Sequence, residues 1–302
     1  LSLLALALAL GGCVVGGGGS HPPPGFSTAY EPDVADGAAA PLLHAVDGTG
    51  AGNAWAVGEG GATLRQASSS KFQLIASTAP ATLGGLWALD VNHALAVERG
   101  GANVFLWSGG AWAALGAPRA DRAAAATWGS ATNNLWVAGD GVEHWDGTAW
   151  TQVVPSGAMF TAMSGSFDTD VWAVGPGGAR HWDGHVWSPV PLPAGTPALA
   201  AVWTSGLFDT WIVGAQGTVL HWNGSTLSRL PVPTTKDLTS ISGTGQGDVW
   251  VGGQDGELLH WDGTVWIEHV SPAARTIEDV WTALGADVLF VDGTSALSRY
   301  VY

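Results

Sequence analysis

Two short motifs return along the chain at a nearly fixed interval, and that interval limits the possible folds more than any other feature. HWDGTAW (144–150), HWDGHVW (181–187), HWNGSTL (221–227) and HWDGTVW (260–266) are copies of one motif, and LWSGGAW (106–112) is a degenerate copy. Upstream of them stand LWVAGDG from Leu135, VWAVGPGG from Val171, TWIVGAQG from Thr210 and VWVGGQDG from Val249; AWAVGEGG from Ala54 opens the series. Anchored on one position of this second motif, the series reads Trp55, Leu95, Trp136, Trp172, Trp211, Trp250, Leu289, in steps of 40, 41, 36, 39, 39 and 39 residues. A supersecondary unit repeated at such a period cannot bury its apolar face alone and must stack on its neighbours.

The unit from Lys236 to Ala273 shows what is repeated. LTSISG, DVWVGG, ELLHWDG and TVWIEHV are four short segments rich in β-branched and aromatic residues, separated by Gly, Asn and Asp, the pattern of strands joined by turns. Asp262-Gly263, and in the same place Asp146-Gly147, Asp183-Gly184 and Asn223-Gly224, read as two-residue hairpin turns between third and fourth strands. Asn53, Asn134, Asp170, Asp209, Asp248 and Asp287 stand two residues before the anchor, where a short acceptor side chain suits a turn and its backbone amides. Four antiparallel strands per unit and seven units define an all-β, seven-bladed β-propeller. The units run approximately 42–80, 81–119, 120–159, 160–197, 198–236, 237–275 and 276–302. The seventh shows three strand-like segments, ending Arg299-Tyr300-Val301-Tyr302, while Phe26 to Val34 resembles a fourth strand. That N-terminal strand is expected to complete the last blade and remove an exposed sheet edge.

The 18 tryptophans fall into four columns. Trp87, Trp128, Trp203 and Trp281 lie on first strands; Trp55, Trp136, Trp172, Trp211 and Trp250 on second; Trp107, Trp145, Trp182, Trp222 and Trp261 on third; Trp112, Trp150, Trp187 and Trp266 on fourth. Large rings at equivalent places are fillers between packed blades, and only a column near a rim could stack on a sugar. Two interruptions stand out: Leu227 ends HWNGSTL, and Arg65 in the first unit stands where a third-strand tryptophan is expected. His144, His181, His221 and His260 sit on the third strands of different blades. They cannot converge on one ion with bonds of about 2 Å, and read as hydrogen-bonded framework. No metal, cofactor or catalytic residue is expected.

With 10 basic against 25 acidic residues the net charge is −15, which argues against nucleic acid and anionic membrane surfaces as partners. LSLLALALALGGC, too short to span a bilayer, reads as the apolar part of a secretory signal over residues 1–12. Leu10-Gly11-Gly12-Cys13 resembles the lipobox of bacterial lipoproteins, which implies acylation of Cys13, the only cysteine, and a membrane contact through that lipid alone. Residues 13–25 read as a Gly/Ser/Pro tether and 26–302 as the propeller. Val14 after the cysteine, where an aspartate would mark inner-membrane retention, favours the outer over the inner membrane, and the expected place is the outer membrane or periplasm of a bacterium.

The GxxxHWDGxxW repeats resemble tectonin-type propeller lectins, with kelch and WD-repeat propellers similar in role; the resemblance implies glycan binding or protein binding. A hydrolase of the sialidase type needs an arginine cluster and a tyrosine nucleophile, and the three tyrosines, Tyr30, Tyr300 and Tyr302, are all near the ends. A lactonase-like site needs acids from several blades lining the channel, and the first strands offer Glu278 and Asp279. The reading is therefore a non-catalytic, monomeric, envelope-anchored platform that binds a protein partner, or alternatively a glycan. Its expected recognition rim comprises loops that differ between units, at Glu59, Glu98, Arg99, Arg119, Asp121, Arg122, Asp140, Gln216, Lys236, Asp237, Gln254, Asp255 and Arg275.

Overall fold

A computed structural model describes residues 25–30, 40–68, 71–75, 79, 81–118, 122–283 and 288–301. Seven antiparallel sheets follow one another round a central axis. Blade one comprises Leu43–Gly50, Asn53–Gly58, Thr63–Ser68 and Lys71–Ile75, and blade two Leu83–Ala88, His93–Glu98, Val104–Ser108 and Trp112–Gly116. Blade four comprises Ala162–Phe167, Asp170–Gly175, Gly178–Trp182 and Trp187–Pro189; blade five Leu199–Gly206, Asp209–Gly214, Thr218–Trp222 and Leu227–Arg229; blade six Leu238–Gly245, Asp248–Gly253, Glu257–Trp261 and Trp266–Val270. In each the first strand lies innermost. Blade three has Ala124–Ala131, one run Asn134–Trp145, and Trp150–Met159. That run doubles back: the rings of Trp136 and His144 lie 4.2 Å apart, whereas eight extended residues would span roughly 26 Å. The reversal falls at Gly141, whose φ of 101° only glycine adopts readily.

The ring closes as the sequence indicates. Gly25–Tyr30 pairs antiparallel with Leu297–Val301 and completes the blade of Asp279–Trp281, Val288–Val291 and Leu297–Val301. Phe26 packs edge-on against Tyr300 and Phe290, with ring centroids 4.9 and 6.0 Å away. The remainder of the expected latch, Glu31 to Val34, lies outside the described residues, as do the expected signal, Cys13 and the expected tether as far as residue 24, while Gly25 belongs to the strand.

Each anchor is buried, and three of them are held by one carboxylate apiece. Asp209 accepts the indole N–H of Trp211 at 2.8 Å, Nε2–H of His221 at 2.8 Å and the hydroxyl of Ser205. Asp248 accepts Trp250 and His260, both at 2.9 Å, and Thr244 at 2.6 Å; Asp170 accepts Trp172 at 3.1 Å, His181 at 2.7 Å and Ser166. The sequence assigned these acceptors to backbone amides; the structure gives them instead to framework side chains on three strands. The imidazoles of His181, His221 and His260 in turn lie against the anchor rings at 4.5, 4.3 and 4.0 Å. Across the blade boundary the third-strand tryptophan of the next blade covers the anchor: Trp222 on Trp172 at 5.8 Å, Trp261 on Trp211 at 6.1 Å, Trp107 on Trp55 at 5.6 Å.

Two local expectations need correction. The Asp-Gly and Asn-Gly pairs sit in four-residue loops, because Trp182 pairs with Trp187 and Trp261 with Trp266. The Asp or Asn side chain caps these loops, Asp262 accepting the amides of Thr264 and Val265 at 2.8 and 2.9 Å. The Thr264 hydroxyl and these two amides hold Asp262 down at about 2. Arg65, moreover, does not replace a tryptophan. It pairs with Trp55 as His181 pairs with Trp172, so it stands in the histidine's place and Gln66 in the tryptophan's.

Replacing Trp250 with Ala is expected to cost about 3–5 kcal/mol, the range for deleting a buried aromatic; chemical denaturation of the purified variant measures it, and an unchanged midpoint contradicts the packing described.

Candidate functional site

The first strands of all seven blades enclose an axial cavity of roughly 220 Å³. Blades two to six contribute mainly small side chains to its wall, among them Gly85, Ala126, Ala162, Ala201 and Ser240. Blades seven and one contribute ionisable groups: His44, Asp47, Glu278 and Asp279. This division follows from register. Asp279 stands level with Ala201 and Ser240, and Asp47 stands in the column that holds tryptophan in Trp87, Trp128, Trp203 and Trp281. Sequence reasoning found Glu278 and Asp279 but missed Asp47; the signal was its place eight residues before the anchor Trp55, where Trp87, Trp128, Trp203 and Trp281 precede theirs.

The inner carboxyls stitch neighbouring blades. Asp47 accepts the amide of Ala88 at 2.7 Å, and Asp279 accepts that of Val46 at 3.0 Å. Ser164 and Ser242, in the same column as Asp47, accept the amides of Thr204 and Thr282 at 3.1 and 3.2 Å in the same manner. Desolvation within the ring wall dominates both acids and outweighs their amide donors. It pushes Asp47 up to about 8 and Asp279 up to about 7, with mutual repulsion adding to the rise at Asp47. At the mouth Glu278 gathers two partners from other blades: Nδ1 of His44 lies 3.0 Å from Oε2, and the guanidinium of Arg99 donates to the same oxygen at 2.9 Å. Arg99, an expected rim residue of blade two, thus reaches blade seven. Among the described residues no three His, Cys, Asp or Glu side chains are grouped to hold a metal ion.

The mouth opens among the loops singled out from sequence. Backbone bonds join the loops between second and third strands to the blade connections: Glu59 N to Leu42 O, Arg99 N to Thr82 O, Ala215 N to Ala198 O and Gln254 N to Asp237 O. The two loop classes therefore share one face. On it Arg122 pairs with Asp140, and Lys236 lies 3.3 Å from Glu257 and 4.0 Å from Asp255. Asp237 links two blades, accepting the amide of Gln216 at 2.9 Å and Nε2–H of Gln254 at 3.2 Å. Glu98 accepts the side-chain amide of Asn103 at 2.6 Å, and Glu59 accepts the amide of Leu42 at 3.3 Å. Arg275 is exposed on the connection between blades six and seven. Arg119 and Asp121 lie outside the described residues. Several of the expected rim residues are thus tied loop to loop within a blade, and Arg99 and Asp237 carry ties across blade boundaries.

No family model matches the chain, and no curated protein matches it either. Solved propellers do match in fold. YCF48 bound to a D1 peptide has a TM-score of 0.72 at 12% identity, over 94% of this chain and 98% of that one. The WD40 propeller domain of Doa1 gives 0.73 at 10% identity, over 92% and 97%. A streptogramin B lyase gives 0.76 at 12% identity, again over 92% and 97%. At such identities these likenesses establish the fold alone.

The inner acids predict an unusual pH dependence. From about pH 4 up to about pH 7 at Asp279 and about pH 8 at Asp47 the folded chain keeps protons that the unfolded chain has lost, so their contribution to stability falls as pH rises. Asp47→Asn should flatten the decline in melting temperature between pH 5 and 8; a variant with the parent's slope contradicts the assignment.

Proposed function

We propose that the protein is a non-catalytic binding platform that seats a protein partner on the loop face, over the mouth of the axial cavity. The observation that carries this reading is the combination of a rim of hydrogen-bonded loops with an opening whose charge lies on one side: Arg99, His44 and Glu278 form an exchangeable ion-pair set beside walls of Gly, Ala and Thr. A partner's charged side chain can substitute within that set without breaking the strand pairing beneath it. Propellers of this fold serve comparable uses, since YCF48 has been solved with a peptide bound. In this reading Cys13 carries a lipid, residues 13–25 are the tether, and the platform works at the bacterial envelope.

A second reading, catalysis, draws on the inner acids, because carboxyls titrating near neutrality suit proton transfer and the fold also serves a lyase. Binding is preferred because Asp47 and Asp279 already hold backbone amides of adjacent blades, as Ser164 and Ser242 do where no acid is present.

Site-specific photocrosslinking of the full chain in its native envelope separates the faces. Probes at Gln216, Asp255 and Arg275 should give a discrete crosslinked partner, and Arg99→Ala should reduce its yield severalfold. Crosslinks obtained only from Thr148, Ser225 and Thr264, on the opposite face, would contradict the proposal.

A further inference from the structure

Blade one departs from the framework of blades four to six in a coordinated way. Where those blades carry Asp170, Asp209 or Asp248, it carries Asn53; where they carry His181, His221 or His260, it carries Arg65. The exchange removes a carboxylate and installs a permanent cation. The Arg65 guanidinium lies 4.8 Å over the Trp55 ring, as the imidazoles do over their anchors, and donates to the carbonyl of Val91 in blade two. Arg99, Arg122 and Lys236 each have a carboxylate partner. Among the described residues Arg65 has none, and a guanidinium carries five N–H donors, most of them therefore left over.

Those donors border a cleft of about 470 Å³ between the outer half of blade one and the lower turn of blade two, lined by Gly52, Asn53, Arg65, Gln66, Gln73, Ile75 and Val91. The volume is that of a small-molecule site. In a chain with 25 acidic residues the described lining contains no acid. Three side-chain amides surround the cation, each offering donor and acceptor groups. One N–H of the Asn53 amide is given to Thr49, which leaves its carbonyl and a second N–H for a hydroxyl. Permanent positive charge beside neutral amides, with Ile75 and Val91 as apolar flanks, is the complement of a carboxylate that carries neighbouring hydroxyls.

We propose that this cleft binds a hydroxylated carboxylate of the uronic acid class, with its carboxylate on Arg65 and its hydroxyls on Asn53, Gln66 and Gln73. The site is on the face opposite the loop rim and stands independently of partner binding there.

Calorimetric titration of the full chain with glucuronate, glucose and acetate tests it. Glucuronate should bind saturably, with glucose and acetate each markedly weaker. Arg65→Gln should weaken glucuronate about tenfold or more, as expected for losing a charge-assisted bond. The double variant Asn53→Asp with Arg65→His rebuilds the triad of the other blades. It should keep or raise the melting temperature and lose glucuronate binding, so a misfolded single variant leaves the test intact. Absence of glucuronate binding, equal binding of glucose, or undiminished binding in the double variant would overturn the proposal.

Discussion

Three successive blades each depend on a carboxylate whose burial must be compensated by hydrogen bonds. Burial alone would raise Asp170, Asp209 and Asp248, yet the donors from histidine, serine or threonine, and indole outweigh it and hold all three below the usual carboxylate range. One side chain thereby ties the first, second and third strands of a blade and fixes the orientation of the anchor indole. The next blade then packs its own tryptophan on that fixed ring. Stability is therefore built from blade to blade, with the interface as the repeating element. Where asparagine replaces the acid, as Asn53 and Asn134 do, the indoles of Trp55 and Trp136 find no acceptor. In blade three Asn134 still takes His144 at 2.6 Å and donates to Ser130 at 2.7 Å, so only the indole loses its bond there.

Closure gives the ends of the chain a second role. Blades seven and one meet where the N-terminal strand latches onto Leu297–Val301, and the ionisable groups of the axial cavity are concentrated at that seam. Interior blades build the same ring wall from serine, tryptophan and small residues, so the framework has no need of Asp47, Glu278 or Asp279 as acids. Blade one alone thus carries three departures from the repeat: Asp47 in the tryptophan column, Asn53 for the aspartate, Arg65 for the histidine.

The repeat made blade number, strand number and the latch legible, because a fixed period and an aromatic column leave one way to stack the units. Turn chemistry was less legible. Asp262-Gly263 suits a two-residue turn equally well, and only the pairing of Trp261 with Trp266 reveals a four-residue loop capped by the aspartate. The role of Arg65 depended on register, since a shift of one residue changes which column it occupies and which blade it faces. Asp47 was overlooked because a lone acid among differing first strands carries no pattern until the strands are aligned on their anchors. The interlocking of Asp237 with Gln216 and Gln254 joins loops of different blades, a relation that spacing along the chain does not encode.

The account rests on the Asp–His–Trp unit being framework, with recognition left to the places where the unit is altered. Equilibrium unfolding of Asp209→Ala, which removes the acceptor outright, beside the parent tests this most directly. The account predicts a loss of about 1–3 kcal/mol, the cost of leaving buried donors without their acceptor. An unchanged unfolding midpoint would contradict it, because the carboxylate would then not be what holds the blade together.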